Sequence, residues 1–461
     1  MTPDIIFRWG RHPEGEILVT ELLDLCRRAI PPFKTLAEEI ASRTGTRILD
    51  WIDHFVLADG AALRQRLAKL SFEPDAAADA GGSWIHPGAI FPRLLLTGPA
   101  GHGGGEIRAV AVGVERVGDF LAAWRINARI EGTALSPLRR ARIWSGDGLE
   151  MFVVERRAYC GTAPVEQTAE ATAARLRACE RWRARPRASA DAPRGKRGVP
   201  AAMERTHALA RSLAEELGAD EAAWIALSAE RDFWQSRNRA GRAQRACQDA
   251  LGLGWANHDH HTFRSSREVF PILLQTLQTF GFRMRERFHA GAEAGWGAQV
   301  LEQPACRVTV FADVDLSPDE VQADFLQGEL AARDELGTVG LWCALHGESL
   351  LEAGLHHLAV RSDFPALTRG LAGFGVEMLP PFSEFPFLQQ AFTAGERWEV
   401  DPLRSAAIGA AISDRDRQRF AAEGAIGSHL ENIQRGEGFK GFNQVAVSDI
   451  IRRTDPRGRG A

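Results

Sequence analysis

The segment WANHDHHTFR, residues 255–264, places His258, His260 and His261 within four positions, out of thirteen histidines in the whole chain. A second cluster, LHHLAVRS, occupies residues 355–362. Aligned on His260 and His357, both segments read H-x-x-x-R-S, with Arg264 and Arg361 in the arginine place. Side chains alternate between the two faces of a strand, so His258, His260, Thr262 and Arg264 share one face, and His357, Ala359 and Arg361 share another. If both strands line a curled sheet, His260 and His357 project into one cavity. Two neutral imidazoles and one carboxylate, with coordination positions left open, make the facial triad that suits non-haem Fe(II), and Mn or Zn can use the same donors. The carboxylate then comes from a neighbouring strand. Glu399 in RWEV is the favoured candidate, because the last strand of such a module lies beside its first; Glu396, Glu302 and Glu431 are the alternatives. Arg264 follows His260 on the same face, about 13 Å along the strand. Its planar fork suits a substrate carboxylate, and a salt bridge to an Asp or Glu of the sheet is the competing reading.

Those strands need a scaffold, and the C-terminal half supplies one twice. NHDHHTFRS alternates as a strand, REVFPILLQTLQTFG has helical spacing and ends at Gly281, and FRMRERFHAG, WGAQVLEQ and CRVTVFADVD read as three strands. The second copy runs LHHLAVRS, the helix DFPALTRGLAGFG, then VEMLPPFSE, FLQQAFTAG and RWEVDP. Each copy is βαβββ. The N-terminal half repeats the pattern more faintly: WIDHFVLADG, AALRQRLAKLSF and WIHPGAIFPRLLL, then EIRAVAVGV, GDFLAAWRI, RRARIWSG and GLEMFVVERRAY. His54 holds the first-strand place there, without an arginine four residues on. The expected organisation is a degenerate module pair at 1–160, a linker and helical segment at 161–252, and a metal-binding module pair with a tail at 253–461. The fold class is α+β, with repeated βαβββ modules forming curled, barrel-like mixed sheets and added helices. The basic stretch CERWRARPRASADAPRGKRGVP (179–200) reads as a surface connection, followed by helical patterns in ERTHALARSLAEELG and in 220–252.

The remaining features narrow the function class. Net charge is −4 and the pI about 6.4, which does not suggest a nucleic-acid or anionic-membrane surface. No run of 18 apolar residues occurs, and six scattered cysteines without a CxxC pair fit a reducing cytoplasm. TGPAGHGGGE at 97–106 lacks the G-K-[ST] of a phosphate loop and reads as a flexible connection. His54, His86 and His289 read as structural histidines. His258, His261 and His356 read as packing residues or supports for the ligands.

With these elements in place, the chain resembles the vicinal oxygen chelate superfamily, and residues 255–461 resemble the 2-oxoadipate dioxygenase/decarboxylase family, whose fold is like that of hydroxymandelate synthase. HHTFR at 260–264, HHLAVR at 356–361, FLQQAFTAG and QVAVSDII at 444–451 carry the likeness. The resemblance implies that His260, His357 and Glu399 bind Fe(II) and that Arg264, Val447 and Ser448 hold the substrate. It further implies an Fe(II) dioxygenase that takes O₂ and a small 2-oxo acid, 2-oxoadipate giving 2-hydroxyglutarate and CO₂, with no nucleic acid or membrane as partner. Two rivals stand beside it: another metalloenzyme of the superfamily (a ring-cleaving extradiol dioxygenase or a metal-dependent isomerase), and a non-enzymatic protein that binds a small acid. The oligomeric state is not legible.

Overall fold

The structure, a computed structural model, describes residues 9–76, 82–99, 107–187, 198–290, 295–322, 330–331, 333, 335–443 and 455–456. Two helices lead the chain, α1 (Pro13–Ala29) and α2 (Pro31–Thr44). Each starts with proline in its first turn, where the missing N–H costs nothing. The first module comprises β1 (Ile52–Asp59), α3 (Ala61–Lys69), β2 (Glu73–Pro74), β3 (Ser83–Ile85) and β4 (Arg93–Pro99). The second comprises β5 (Ile107–Gly113), α4 (Val117–Trp124), β6 (Ile130–Glu131), β7 (Leu138–Gly146) and β8 (Leu149–Arg156). Helices α5 (Ala169–Ala184), α6 (Val199–Leu217), α7 (Ala219–Ser236) and α8 (Arg239–Asp249) follow.

The third module contains β9 (His258–Arg264), α9 (Phe270–Thr279), β10 (Arg283–His289), β11 (Trp296–Gln303) and β12 (Val308–Asp315), and α10 (Thr338–His346) comes after it. The fourth has β13 (His357–Arg361), α11 (Phe364–Ala372), β14 (Ser383–Phe385) and β15 (Leu388–Phe392). It continues through β16 (Glu396–Trp398), α12 (Pro402–Ala407) and α13 (Asp414–Glu423) to β17 (Ala425–Arg435). No helix among the described residues is long and apolar enough to cross a membrane.

The α+β architecture is two mixed sheets of matching topology. The first runs β2-β3-β4-β1-β5-β8-β7-β6 and the second β10-β11-β12-β9-β13-β17-β15-β14, with β16 on β17. In both sheets the first strand of each module is parallel to that module's last strand, and the two first strands meet antiparallel at the centre. One apolar core joins the N-terminal helices to the outer face of the first sheet (Leu22, Phe33, Phe55, Val110). Another joins α6, α7 and α9 to the second (Ala226, Leu274, Val310, Leu358). Gly45 ties the halves together. It ends α2 at φ +65, and a Cβ there would stand 2.6 Å from the Leu367 nitrogen of α11. Asp363 N–H donates to the Gly45 carbonyl at 3.0 Å.

Three sequence readings change. The 179–200 stretch is not a free surface connection along its whole length: α5 runs through it to Ala184, and the Arg185 and Arg187 guanidiniums clasp fully buried Glu230. Residues 220–252 are two helices, because Asn238 caps α8 by accepting from Gly241 N–H at 2.7 Å. The last strand of the fourth module is β17, and RWEV contributes only the short β16 on its flank.

Candidate metal centre

That reassignment decides which carboxylate meets the histidines. Parallel pairing of β17 with β13 sets Glu431 opposite Ala359, and antiparallel pairing of β13 with β9 sets Ala359 opposite His260. His260, His357 and Glu431 therefore come from three adjacent central strands. Glu431 Oε2 lies 3.0 Å from His260 Nε2 and 3.0 Å from His357 Nε2. The three donor atoms lie within 4.8 Å of one another, and all three residues are buried, so the group could hold a metal ion. Glu399, the favoured sequence candidate, is a correction: it stands exposed just beyond β16, separated from β17 by α12 and α13. Glu396 instead accepts from the Arg239 backbone, and Glu302 pairs with Lys440.

The neighbours of each donor fix its orientation. His260 Nδ1 lies 3.1 Å from Asp259, which is ion-paired to Arg435, so Nε2 is turned inward. This carboxylate behind an imidazole is the arrangement that commonly holds a metal-ligating histidine. Glu431 uses its other oxygen to accept from Gln390 Nε2 at 2.9 Å. His357 Nε2 also meets the Thr262 hydroxyl at 3.0 Å.

The electrostatics of the buried group favour a cation. Burial alone would depress His260, but the Glu431 and Asp259 carboxylates hold it up to about 9. Burial pushes His357 down to about 4. Glu431 stays well below the ordinary carboxylate range, since the two histidines outweigh its burial.

A cavity of about 60 Å³ opens on this group. About 10–15 Å³ suffices for one water, so the space suits a small ligand. Phe288, Trp296, Phe311, Phe392 and Phe442 make much of its wall, and Arg264, Asp313, His356 and His429 supply its polar groups. Arg264 is buried, its Nε is 3.7 Å from Asp313, and its Nε and Nη1 have no hydrogen-bond partner. Burial raises Asp313 to about 7, with Arg264 opposing. The guanidinium is therefore poorly matched by the sheet and open to a ligand's carboxylate. The two His-x-x-x-Arg segments diverge in use: on antiparallel strands their arginines run to opposite ends, and Arg361 lines a different cavity.

Val447 and Ser448 lie outside the described residues. Sequence reading passed over Asp259, Gln390 and His429. The dipeptide Asp259-His260 was the one available signal.

No family model matches this sequence, and no curated protein matches it. Among solved structures, a triply substituted 4-hydroxymandelate synthase from Streptomyces coelicolor aligns over 88% of this chain and 98% of its own, at 13% identity and TM-score 0.29. Methylmalonyl-CoA epimerase from Mycobacterium tuberculosis covers 39% of this chain and 89% of its own, at 11% identity and TM-score 0.23. A fusion of a xylose isomerase-like TIM barrel with 4-hydroxyphenylpyruvate dioxygenase aligns over 89% of this chain and 52% of its own, at 12% identity and TM-score 0.23. Similarity this slight fixes neither family nor activity.

Proposed function

We propose that the protein is an Fe(II)-dependent dioxygenase of a small 2-oxo acid, most like the conversion of 2-oxoadipate to 2-hydroxyglutarate and CO₂. The observation that carries the reading is the conjunction, in one small buried cavity, of the His260/His357/Glu431 donor set with the under-neutralised Arg264. Bound iron would supply open positions for a 2-oxo acid and for O₂. The chain's own residues do the rest. His260, His357 and Glu431 hold the ion; Arg264 grips a substrate carboxylate bidentately; the aromatic wall excludes water from the reacting atoms.

The test is metal content under anaerobic conditions, then O₂ uptake and CO₂ release on adding Fe(II) and 2-oxoadipate. Stoichiometric iron with substrate-dependent uptake is expected, and a protein that takes up no metal would sink the proposal. Arg264→Ala should raise KM by about 10- to 100-fold with metal content unchanged, as expected for loss of a charge-assisted grip worth about 1.5–3 kcal/mol. The aromatic wall and the two histidines His356 and His429 favour a second reading, an extradiol ring-cleaving dioxygenase or a metal-dependent isomerase. Turnover of catechols in place of 2-oxo acids would select it. His258, a nearby histidine that such chemistry could use to relay a proton, lines the other cavity instead. A third reading, a non-enzymatic binder of a small acid, predicts tight substrate binding without O₂ uptake.

A further inference from the structure

Between the two sheets lies a second cavity of about 510 Å³, within the roughly 300–1,000 Å³ of small-molecule sites. Its chemistry differs from that of the metal pocket. Asp53 is saturated: Arg156 reaches it through Nε at 3.0 Å and Nη2 at 2.7 Å, Arg307 through Nη1 at 3.0 Å, and His54 through Nδ1 at 2.7 Å. Beside them Arg93 donates to the Cys160 carbonyl at 2.6 Å and stands 3.2 Å from Asp75. Three guanidiniums thus stand against two carboxylates. Arg156 and Arg307 share the single charge of Asp53, so one positive charge in the group is left without a counter-charge.

Unsatisfied donors line the same space. Arg93, 7% exposed, has no partner at Nε, and neither has Arg361, which lines the same cavity. His86, 6% exposed, has no partner at either ring nitrogen. Buried polar groups are normally paired, and several orphans around one cavity mark a place where a ligand completes the bonding.

We propose that this inter-sheet cavity is a second binding site, separate from the metal centre, for a small organic anion carrying phosphate or carboxylate groups, gripped by Arg93, Arg307 and Arg361. Arg307 from the C-terminal sheet and Arg93 from the N-terminal sheet would close on the ligand from two sides, so binding would also brace the two halves against each other.

The test uses the full chain in metal-free form, so that it does not depend on the activity proposed above. Inorganic phosphate and citrate are titrated separately by calorimetry into the unaltered protein and into Arg307→Ala, Arg361→Ala and Arg264→Ala. Arg307 is partly exposed and Asp53 keeps Arg156 when it is removed, so this variant should fold. The expected result is saturable binding of at least one probe below about 1 mM, weakened at least 10-fold by Arg307→Ala and by Arg361→Ala, and unchanged in Arg264→Ala. Tighter phosphate would assign a phosphoester ligand, and tighter citrate a carboxylate. Binding of neither probe, binding only at tens of millimolar, or loss in Arg264→Ala with retention in Arg307→Ala would overturn the proposal.

Discussion

The two sheets hold the same machinery for aiming a histidine, and among the described residues the C-terminal sheet alone sets a second imidazole and a carboxylate around it. In the N-terminal sheet Arg156 holds Asp53, and Asp53 holds His54 Nδ1. In the C-terminal sheet Arg435 holds Asp259, and Asp259 holds His260 Nδ1. Strand register makes the correspondence strict. His54 pairs with Ala111, which pairs with Phe152; His260 pairs with Ala359, which pairs with Glu431. By the same register Ala109 takes the place of His357, and Arg156 and Arg435 each stand four residues beyond Phe152 and Glu431. An orienting Asp–His pair is therefore not evidence of a metal site. What distinguishes the C-terminal centre is a second imidazole and a carboxylate whose charge no guanidinium cancels.

The comparison can be broken first at the ligands. Glu431→Gln or His357→Ala should lower metal affinity by more than about 100-fold, beyond the 10- to 100-fold typical of outer partners, while His54→Ala leaves it unchanged. Metal analysis after dialysis decides this, and metal lost from His54→Ala would erase the distinction between the sheets. The aspartates come next. Asp259→Asn should weaken metal binding by about 10- to 100-fold. Asp53→Asn should leave metal alone but cost about 3–5 kcal/mol in chemical denaturation, because it strips buried Arg156 of its counter-charge.

A smaller effect separates metal-free from metal-loaded protein by pH. The raised pKa of His260 contributes stability that is complete below about 6.5 and lost as pH climbs through about 9. Burial lowers His258 and His357 to about 4 and His346 to about 3; their contribution is present above about 6.5 and lost as pH falls towards those values. Thermal melts of the metal-free protein should therefore peak between these limits, and bound metal, which displaces the His260 proton, should abolish the alkaline decline. The smallest expected change is that of Glu399→Gln. Metal occupancy should stay as in the unaltered protein and stability should move by less than about 0.5 kcal/mol, as for an exposed side chain.

Much of this was legible in the amino-acid order, and the failures share a cause. The first strands and crossover helices of the two C-terminal modules show plain periodicity and those of the N-terminal pair a fainter one, because their apolar faces pack on helices. The principle that a module's last strand lies beside its first also holds. It was applied to RWEV because β17, AIGSHLENIQR, does not look like a central strand: it buries Ser428, His429, Glu431 and Asn432. A strand whose polar side chains face a site and each other reads as a surface tail. The insertion of α12 and α13 between β16 and β17 hid the end of the module as well. Helices α1 and α2 precede the first module and so have no counterpart in the repeat pattern.

The lateness of β17 has a consequence for how the molecule comes into being. Glu431 is 171 residues from His260 and is the last ligand to leave the ribosome. Until β17 inserts between β13 and β15, the histidines face a groove without its anion, and the central hydrogen bonds of the sheet are missing on one side. Contacts so distant in sequence form late and slowly. Metal capture at this group would thus follow folding of the C-terminal sheet, and a bound ion would then stabilise the completed sheet by mass action. Metal uptake during synthesis would then report chains that have finished folding, and half-made chains would be poor competitors for the ion.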